Sequence, residues 1–116
     1  MNISHAKNAK HVIVNKCHNG QGSILFREVF GKNDFNSSIQ FLHETSVTPN
    51  STIGYHKHFG NEEIYYVVEG KGLMMVDGKE KVVENGDAVI TYSGSSHGLR
   101  NIGDKDLKIL VFEAKY

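Results

Sequence analysis

Turn-forming residues interrupt this sequence at such short intervals that few segments between them are long enough for more than one short strand. The interruptions are clusters of Asn, Gly, Asp and Pro, at Asn19-Gly20, 31–34, Pro49-Asn50, Asp77-Gly78 and Asn85-Gly86. These residues favour turns because they tolerate positive φ or fix the backbone. No stretch of ten or more residues keeps its apolar side chains at helical spacing. The sequence therefore predicts an all-β fold, either a sandwich or a barrel.

Ten runs between these interruptions are rich in β-branched and aromatic residues, as strands usually are. The predicted strands are His11–Asn15, Ser23–Phe30, Ile39–Val47, Ile53–His58, Glu63–Glu69, Leu73–Val76, Glu80–Val83, Ala88–Thr91, His97–Asn101 and Leu107–Ala114. Asp77-Gly78 favours the positive φ of a two-residue turn, so residues Gly72 to Val83 are predicted to form a hairpin. Asn2–Lys10 can carry a helical turn, and Asp34–Ser38 a bend.

Length and composition restrict the class of protein. The 116 residues suffice for one domain, residues 1–116, with a core of its own. Lys plus Arg and Asp plus Glu each number 13, so no basic excess attracts nucleic acid. No segment approaches the ~20 apolar residues that span a bilayer, so no membrane partner is expected and the expected location is the cytoplasm. The single cysteine, Cys17, is expected to be a small half-buried residue.

Two of the seven histidines, His56 and His58, lie two residues apart on a predicted strand. Side chains at i and i+2 of a strand point to the same face, so both imidazoles project together. After a polar turn at residues 59–62 the chain is expected to return as a hairpin and to bring a carboxylate opposite His58. Strand parity leaves Glu62 and Glu63 as alternatives. Imidazoles with a carboxylate suit Fe, Mn, Co, Ni or Zn better than Ca or Mg.

The segment from Gly54 to Gly70 resembles the first motif of the cupin family, G(X)5HXH(X)3,4E(X)6G. Six residues separate Glu63 from Gly70, as in the motif, so the resemblance favours Glu63 over Glu62 as the carboxylate ligand. Asn50 stands where the motif usually has its first glycine, a departure expected only to alter a turn.

The second cupin motif, G(X)5PXG(X)2H(X)3N, is matched at Gly86, Gly94, His97 and Asn101. The resemblance implies that His97 is the fourth metal ligand. Tyr92 stands in place of the motif proline, which puts a large phenol near the barrel mouth and makes substrate analogies with other cupins less direct.

The resemblance to this family implies a double-stranded β-helix, the cupin jelly-roll barrel, with its metal-binding core at about residues 41–112. It also implies a homodimer, in which residues 1–22 serve as an edge strand or as an arm that reaches the partner. The implied cofactor is one divalent transition metal (Fe, Mn, Zn, Ni or Co), held by His56, His58, Glu63 and His97.

Three functions are compatible with such a site. The first is an enzyme acting on a small oxygenated metabolite, such as a sugar acid or a hydroxy or keto acid, by isomerase or lyase chemistry. Tyr65 follows Glu63 by two residues and should point into the barrel, so Tyr65 and Glu63 are the candidate acid–base residues. The second is an iron or manganese dioxygenase. The third is a non-catalytic small-molecule binding or sensor module.

The other polar residues are expected to be solvated rather than functional. On the early strands these are Arg27, Gln40, His43 and Glu44. The N-terminal histidines, expected at the surface or on a strand exchanged across a dimer, are His5, His11 and His18. Tyr92 and the serines at 93, 95 and 96 are expected to form a solvated turn next to His97.

Overall fold

A computed structural model describes all 116 residues, and it is built from ten strands. They are β1 (Val12–Asn15), β2 (Ser23–Phe30), β3 (Ile39–Val47), β4 (Thr52–Lys57), β5 (Asn61–Glu69), β6 (Lys71–Val76), β7 (Lys79–Glu84), β8 (Ala88–Thr91), β9 (Ser96–Asn101) and β10 (Leu107–Lys115). All ten predicted strands are confirmed, with ends that agree within two residues. The helical elements are three short 3₁₀ turns, at Ala6–Asn8, Cys17–Asn19 and Lys32–Asp34. None of them is long or apolar enough to cross a membrane.

The strands form two antiparallel sheets that enclose one interior. The six-stranded sheet has the order β1-β2-β3-β10-β5-β8, and the four-stranded sheet has the order β4-β9-β6-β7. The predicted hairpin is β6–β7, with Gly72 paired to Val83. Its turn residues Asp77 and Gly78 have φ of 48° and 80°, as a two-residue hairpin of this type requires. This is the predicted jelly-roll arrangement.

The expected hairpin between β4 and β5 is not present. β4 pairs with β9, whereas β5 pairs with β10 and β8 in the other sheet. The chain crosses between the sheets because the backbone of His58 bonds to the loop before β9: its N–H donates to the Ser95 carbonyl, and its carbonyl accepts from Gly94 N–H. Gly60 then turns the chain with a φ of +79°. Glu63 therefore faces the histidines across the interior, not along one sheet.

The interior differs between its two ends. At one end Val47 pairs with Leu107, and both are completely buried with Ile109 and Val67 in an apolar core. At the other end Glu63 pairs with Thr91 on one side and with Glu113 on the other. Glu113 lies six residue steps beyond Leu107 along β10, about 20 Å at the rise of an antiparallel strand. The polar end is where the predicted site residues meet.

Two of the motif residues hold loops at the apolar end. Gly70 has a φ of +104°, and a Cβ there would lie 2.9 Å from the Asp106 carbonyl oxygen and from Leu107 Cα, so only glycine fits. The buried Asn101 amide donates to the carbonyls of Val47 and Lys105 and fixes the loop before β10. These residues stabilise the fold without touching the polar end.

Candidate metal centre

Four side chains from both sheets converge at the polar end of the interior. His56 on β4 is the register partner of His97 on β9, His58 follows directly after β4, and Glu63 lies on β5. One nitrogen or carboxylate oxygen from each lies within 4.8 Å of all the others. All are buried except His56, which is half-buried. The arrangement could hold one metal ion.

The closest atoms are all electron-pair donors. The Nε2 atoms of His58 and His97 are 2.9 Å apart. Glu63 Oε1 lies 3.3 Å from the first nitrogen and 3.2 Å from the second. Two bare imidazole nitrogens and a carboxylate at such distances repel one another unless a proton or a cation lies between them.

Hydrogen bonds at the outer nitrogens decide which ring atoms are bare. His56 Nδ1 lies 2.6 Å from the Gly54 carbonyl oxygen, which can only accept, so Nδ1 carries the proton. His58 Nδ1 lies 2.7 Å from Asn61 Oδ1, and His97 Nδ1 lies 2.7 Å from Thr91 Oγ1. The carbonyl of Gly54 and the amide oxygen of Asn61 can only accept; when the Thr91 hydroxyl also accepts, all three Nδ1 atoms carry protons and the Nε2 atoms are left as acceptors. This is how metal-binding histidines are usually oriented, so the residues present fit a divalent transition metal.

The structure separates the two carboxylates that strand parity left open. Glu63 is buried and inward-facing with Tyr65 and Val67, as predicted for that face of β5. Glu62 lies on the opposite face, where it borders an outer apolar groove with Ile64. Glu63 is the carboxylate beside the histidines.

The electrostatics of the centre favour a ligating form for Glu63 and His56. Burial opposes ionisation of Glu63, but in the metal-free protein a proton shared with the imidazoles of His97 and His58 outweighs burial and lowers the pKa of the carboxyl. Burial, opposed by the hydrogen bond to Gly54 and assisted by the neighbouring imidazoles, lowers the pKa of His56 to about 4. At neutral pH the first is therefore a carboxylate and the second a neutral imidazole, the forms that bind metal.

Glu113 is a second inward carboxyl that the sequence analysis missed. It is the register partner of Glu63, and its Oε1 lies 3.8 Å from His58 Nδ1. Burial, the charge of Glu63 and a hydrogen bond to Glu63 raise the pKa of Glu113 to about 7. Its alternation with the apolar residues Ile109 and Val111 along β10 is the signal that could have revealed an inward side chain.

Tyr65 lies inside the barrel beside the candidate ligands. It is 4% exposed, and its hydroxyl lies 3.4 Å from His97 Nε2. Burial, followed by the charge of Glu63, raises the pKa of Tyr65 well above its ordinary value. In the protein alone the hydroxyl therefore keeps its proton.

Several other predicted residues occupy environments that the sequence did not reveal. Arg27 was expected to be solvated, but it is 8% exposed, with Nε 3.6 Å from Glu44 Oε1. His43 is also largely enclosed, because its ring packs between two phenylalanines and its Nε2 lies 3.2 Å from Glu28 Oε1. Both expectations fail because inter-strand packing, not local polarity, sets burial.

The N-terminal residues and the loop before β9 match their predictions more closely. His5 and His11 are exposed, and Cys17 is half-buried against the core. His18 is exposed too, but it lies on a 3₁₀ turn and not on a strand, and its ring stacks on that of His56. Tyr92 is 59% exposed in the loop before β9.

Comparisons with known proteins agree with this geometry. Residues 43–113 match the family model of the cupin domain. An oxalate-binding protein of Thermotoga maritima is 33% identical over 92 residues, which span 79% of this chain and 76% of that protein. An uncharacterized protein of Methanocaldococcus jannaschii is 40% identical over 89 residues, 77% of this chain and 70% of its own. The crystal structure of a predicted oxalate decarboxylase from Thermotoga maritima superposes over the whole of both chains with a TM-score of 0.95 and 27% identity.

Proposed function

The chain belongs to the cupin domain family, and from this premise we propose that it binds a small carboxylate of the oxalate type at a divalent transition metal. The proposed ligands of the metal are His56, His58, Glu63 and His97. The observation that carries the proposal is the set of electron-pair donors that face one another at 2.9–3.3 Å. A cation relieves the repulsion between them.

The charge of such a centre supports an anionic ligand. With three neutral imidazoles and one carboxylate as ligands, a divalent cation keeps a net charge of one. This positive charge attracts the oxygens of a carboxylate ligand. Arg27 is the only buried Lys or Arg, and it lies 3.6 Å from Glu44 in an ion pair of its own. The recognition of a small acid thus depends on the metal and on neutral donors such as the Tyr65 hydroxyl.

The oxalate-binding protein and the predicted oxalate decarboxylase of Thermotoga maritima support the same ligand class. Oxalate is also a small oxygenated acid, like the sugar, hydroxy and keto acids that the sequence predicted. The buried side chains of Tyr65 and Thr91 and the inward-facing Glu113 lie beside the candidate ligands, so we propose a ligand of few atoms.

Acid–base catalysis on such a ligand is the second candidate function, in the isomerase or lyase class. Tyr65 keeps its proton at neutral pH, whereas Glu113 has a pKa of about 7 and can both accept and release one. Two neighbouring groups with separated pKa values are the usual basis of acid–base assignments. Glu63 suits this role less well than the sequence predicted, because its own pKa is lowered and its oxygen faces the histidines.

Calorimetric titration of oxalate into the metal-loaded chain tests the binding proposal. We expect saturable binding with one oxalate per chain, no binding after the metal is removed with a chelator, and weaker binding in Tyr65→Phe. Acetate, with one carboxylate, is the control ligand and should bind more weakly. Oxalate binding that is unchanged by metal removal would contradict the proposal.

Product analysis separates the alternatives. Incubation of the metal-loaded chain with oxalate and with hydroxy and keto acids should give either an isomerised or cleaved product, which supports the enzyme, or unchanged ligand, which supports a binding or sensor module. Consumption of dissolved oxygen by the Fe²⁺ or Mn²⁺ form would instead support a dioxygenase.

The homodimer stays a prediction. Adjacent apolar side chains on the outer face of β5, β8 and β10 are consistent with it, because Ile64, Tyr66, Ile90 and Phe112 are each more than a third exposed there. Light scattering coupled to size-exclusion chromatography gives the mass directly. A monomer mass at micromolar concentration would contradict the prediction.

A further inference from the structure

The loop from residues 16 to 22, here called the His18 loop, has an unusual backbone. Lys16, His18 and Asn19 have φ of 52°, 51° and 60°, all in the left-handed region. Residues with a Cβ seldom adopt this region, because the Cβ crowds a neighbouring carbonyl oxygen, although His and Asn do so more readily than most. A conformation of this kind persists where surrounding contacts hold it, and such places are often functional.

Contacts with β4 hold the His18 loop in place. Thr52 N–H donates to the Gln21 carbonyl, and Gln21 N–H donates to Thr52 Oγ1, both at 2.8 Å. The loop also passes directly over Gly54, where any Cβ would overlap the His18 carbonyl oxygen. Glycine at position 54 therefore allows the loop to pack against the strand that carries His56.

This packing lays one imidazole on another. The rings of His18 and His56 are nearly parallel, with 10° between their planes and 3.6 Å between their centroids. His18 is not among the four residues whose donor atoms converge on the candidate metal position. The His18 ring covers one face of the His56 ring and does not act as a further metal ligand.

His56 is the candidate histidine ligand that most needs such a contact. His58 and His97 are 7% and 0% exposed and are held by the surrounding interior, whereas His56 is only half-buried. The Gly54 carbonyl fixes one edge of the His56 ring at Nδ1. That bond restrains one ring atom, and a partner on the face of the ring further restricts rotation of the imidazole about its Cβ–Cγ bond.

We propose that His18 is a positioning residue of the metal centre, whose ring holds the plane of His56 so that Nε2 stays aimed at the other three ligands. The inference rests on the proposed metal site. An imidazole bound to a divalent cation carries added positive charge, which attracts a neutral aromatic face. The stack therefore strengthens when metal binds, and by linkage metal binding holds the His18 loop more firmly.

Co²⁺ binding by three variants tests the inference. His18→Asn removes the aromatic face but tolerates the left-handed backbone, His18→Phe keeps a stacking ring without its nitrogens, and His11→Asn removes an exposed histidine elsewhere. Competition with a chromophoric chelator gives the Kd, and the visible absorption of bound Co²⁺ reports the geometry of its ligands. We expect about tenfold weaker binding and an altered spectrum in His18→Asn, the effect typical of losing a group that orients a ligand.

His18→Phe is expected to restore both the Kd and the spectrum to nearly those of wild type, and His11→Asn to leave both unchanged. Wild-type Kd and spectrum in His18→Asn would overturn the inference, and so would a His18→Phe variant as weak as His18→Asn. A wild-type chain that binds no Co²⁺ would overturn the metal centre itself, so the two failures are distinguishable.

Hydrogen exchange in the wild-type chain gives a measurement that does not depend on the folding of any variant. Addition of Co²⁺ should slow exchange of the backbone amides of residues 16–22 relative to those of the β6–β7 turn. Equal exchange of the His18 loop with and without bound Co²⁺ would contradict the inference.

Discussion

The two ends of the barrel share their strands but differ in what those strands present to the interior. Along β10 the inward residues change from Leu107 to Glu113, and along β9 they change from Asn101 to His97. The first end is closed by apolar packing, whereas the second brings together groups that repel one another unless a proton or a cation lies between them. Stability and the proposed metal binding thus belong to different ends of one domain, and substitutions can separate them.

Loss of a ligand should have the largest effect. Structural Zn²⁺ sites with four ligands contribute about 10–16 kcal/mol, so the loss of one ligand in Glu63→Ala should weaken metal binding by roughly 3–4 kcal/mol, a factor of about 150 to 900. His56→Ala and His97→Ala should likewise sharply lower metal content, as measured by elemental analysis of protein purified without chelator.

Glu62→Ala is the matched control for this prediction, because it removes a carboxylate one residue away on the outer face. It should retain wild-type metal content. Metal loss in Glu62→Ala together with metal retention in Glu63→Ala would show that the wrong carboxylate was assigned.

At the apolar end Leu107→Ala should lower the free energy of unfolding by about 3 kcal/mol, because it leaves a cavity at a completely buried position. Urea denaturation of the metal-free chain measures this loss. The Kd for metal should stay close to wild type as long as the variant is folded. A large loss of metal affinity would mean that the two ends are coupled and would break the comparison.

The strands themselves were predictable, but the way they pair was not. Local features such as the Asp77-Gly78 turn and the β-branched runs determine where each strand begins and ends, so all ten strands could be predicted from them. The pairing of β4 with β9 depends on residues about forty positions apart, so the expected β4–β5 hairpin was wrong. The histidines and the carboxylate expected on it still lie close together, but they approach from opposite sheets. Motif spacing identified Glu63, whereas Glu113 and the stacked His18 belong to no motif and become visible only when the sheets close.

A pH-dependent change in stability is expected from Glu113 in the metal-free chain. Its pKa in the folded state is about 7, above the ordinary value of 4.5, so the folded protein holds this proton more tightly than the unfolded chain does. The resulting contribution to the free energy of unfolding is complete below pH 4.5 and is lost as the pH rises through 7. Glu113→Gln keeps a neutral side chain at every pH. At pH 8 it should therefore be more stable than wild type by about 2 kcal/mol.

Thermal or urea denaturation of both proteins from pH 4 to pH 8, with chelator present, measures that difference. The internal control is the lowest pH, where both side chains are neutral and the stabilities should agree. A stability difference that does not grow between pH 4.5 and pH 8 would contradict the assigned environment of Glu113.

Thr91→Val should have the smallest effect. It removes the oxygen 2.7 Å from His97 Nδ1 while nearly preserving side-chain shape, so metal binding should weaken about tenfold. Thr45→Val is the matched control, since Thr45 is another buried threonine that contacts none of the Nδ1 atoms. Equal Kd values for the two variants, measured by chelator competition, would mean that the hydrogen bond does not orient His97.

X-ray absorption spectroscopy of the chain loaded with Co²⁺ or Zn²⁺ tests the central claim most directly, because it reports the atoms around the metal. We expect one ion per chain, with imidazole nitrogens from three histidines and at least one oxygen, and loss of an imidazole contribution in His97→Ala. A stoichiometric ion without histidine ligands, or one whose spectrum is unchanged in His97→Ala, would contradict the account.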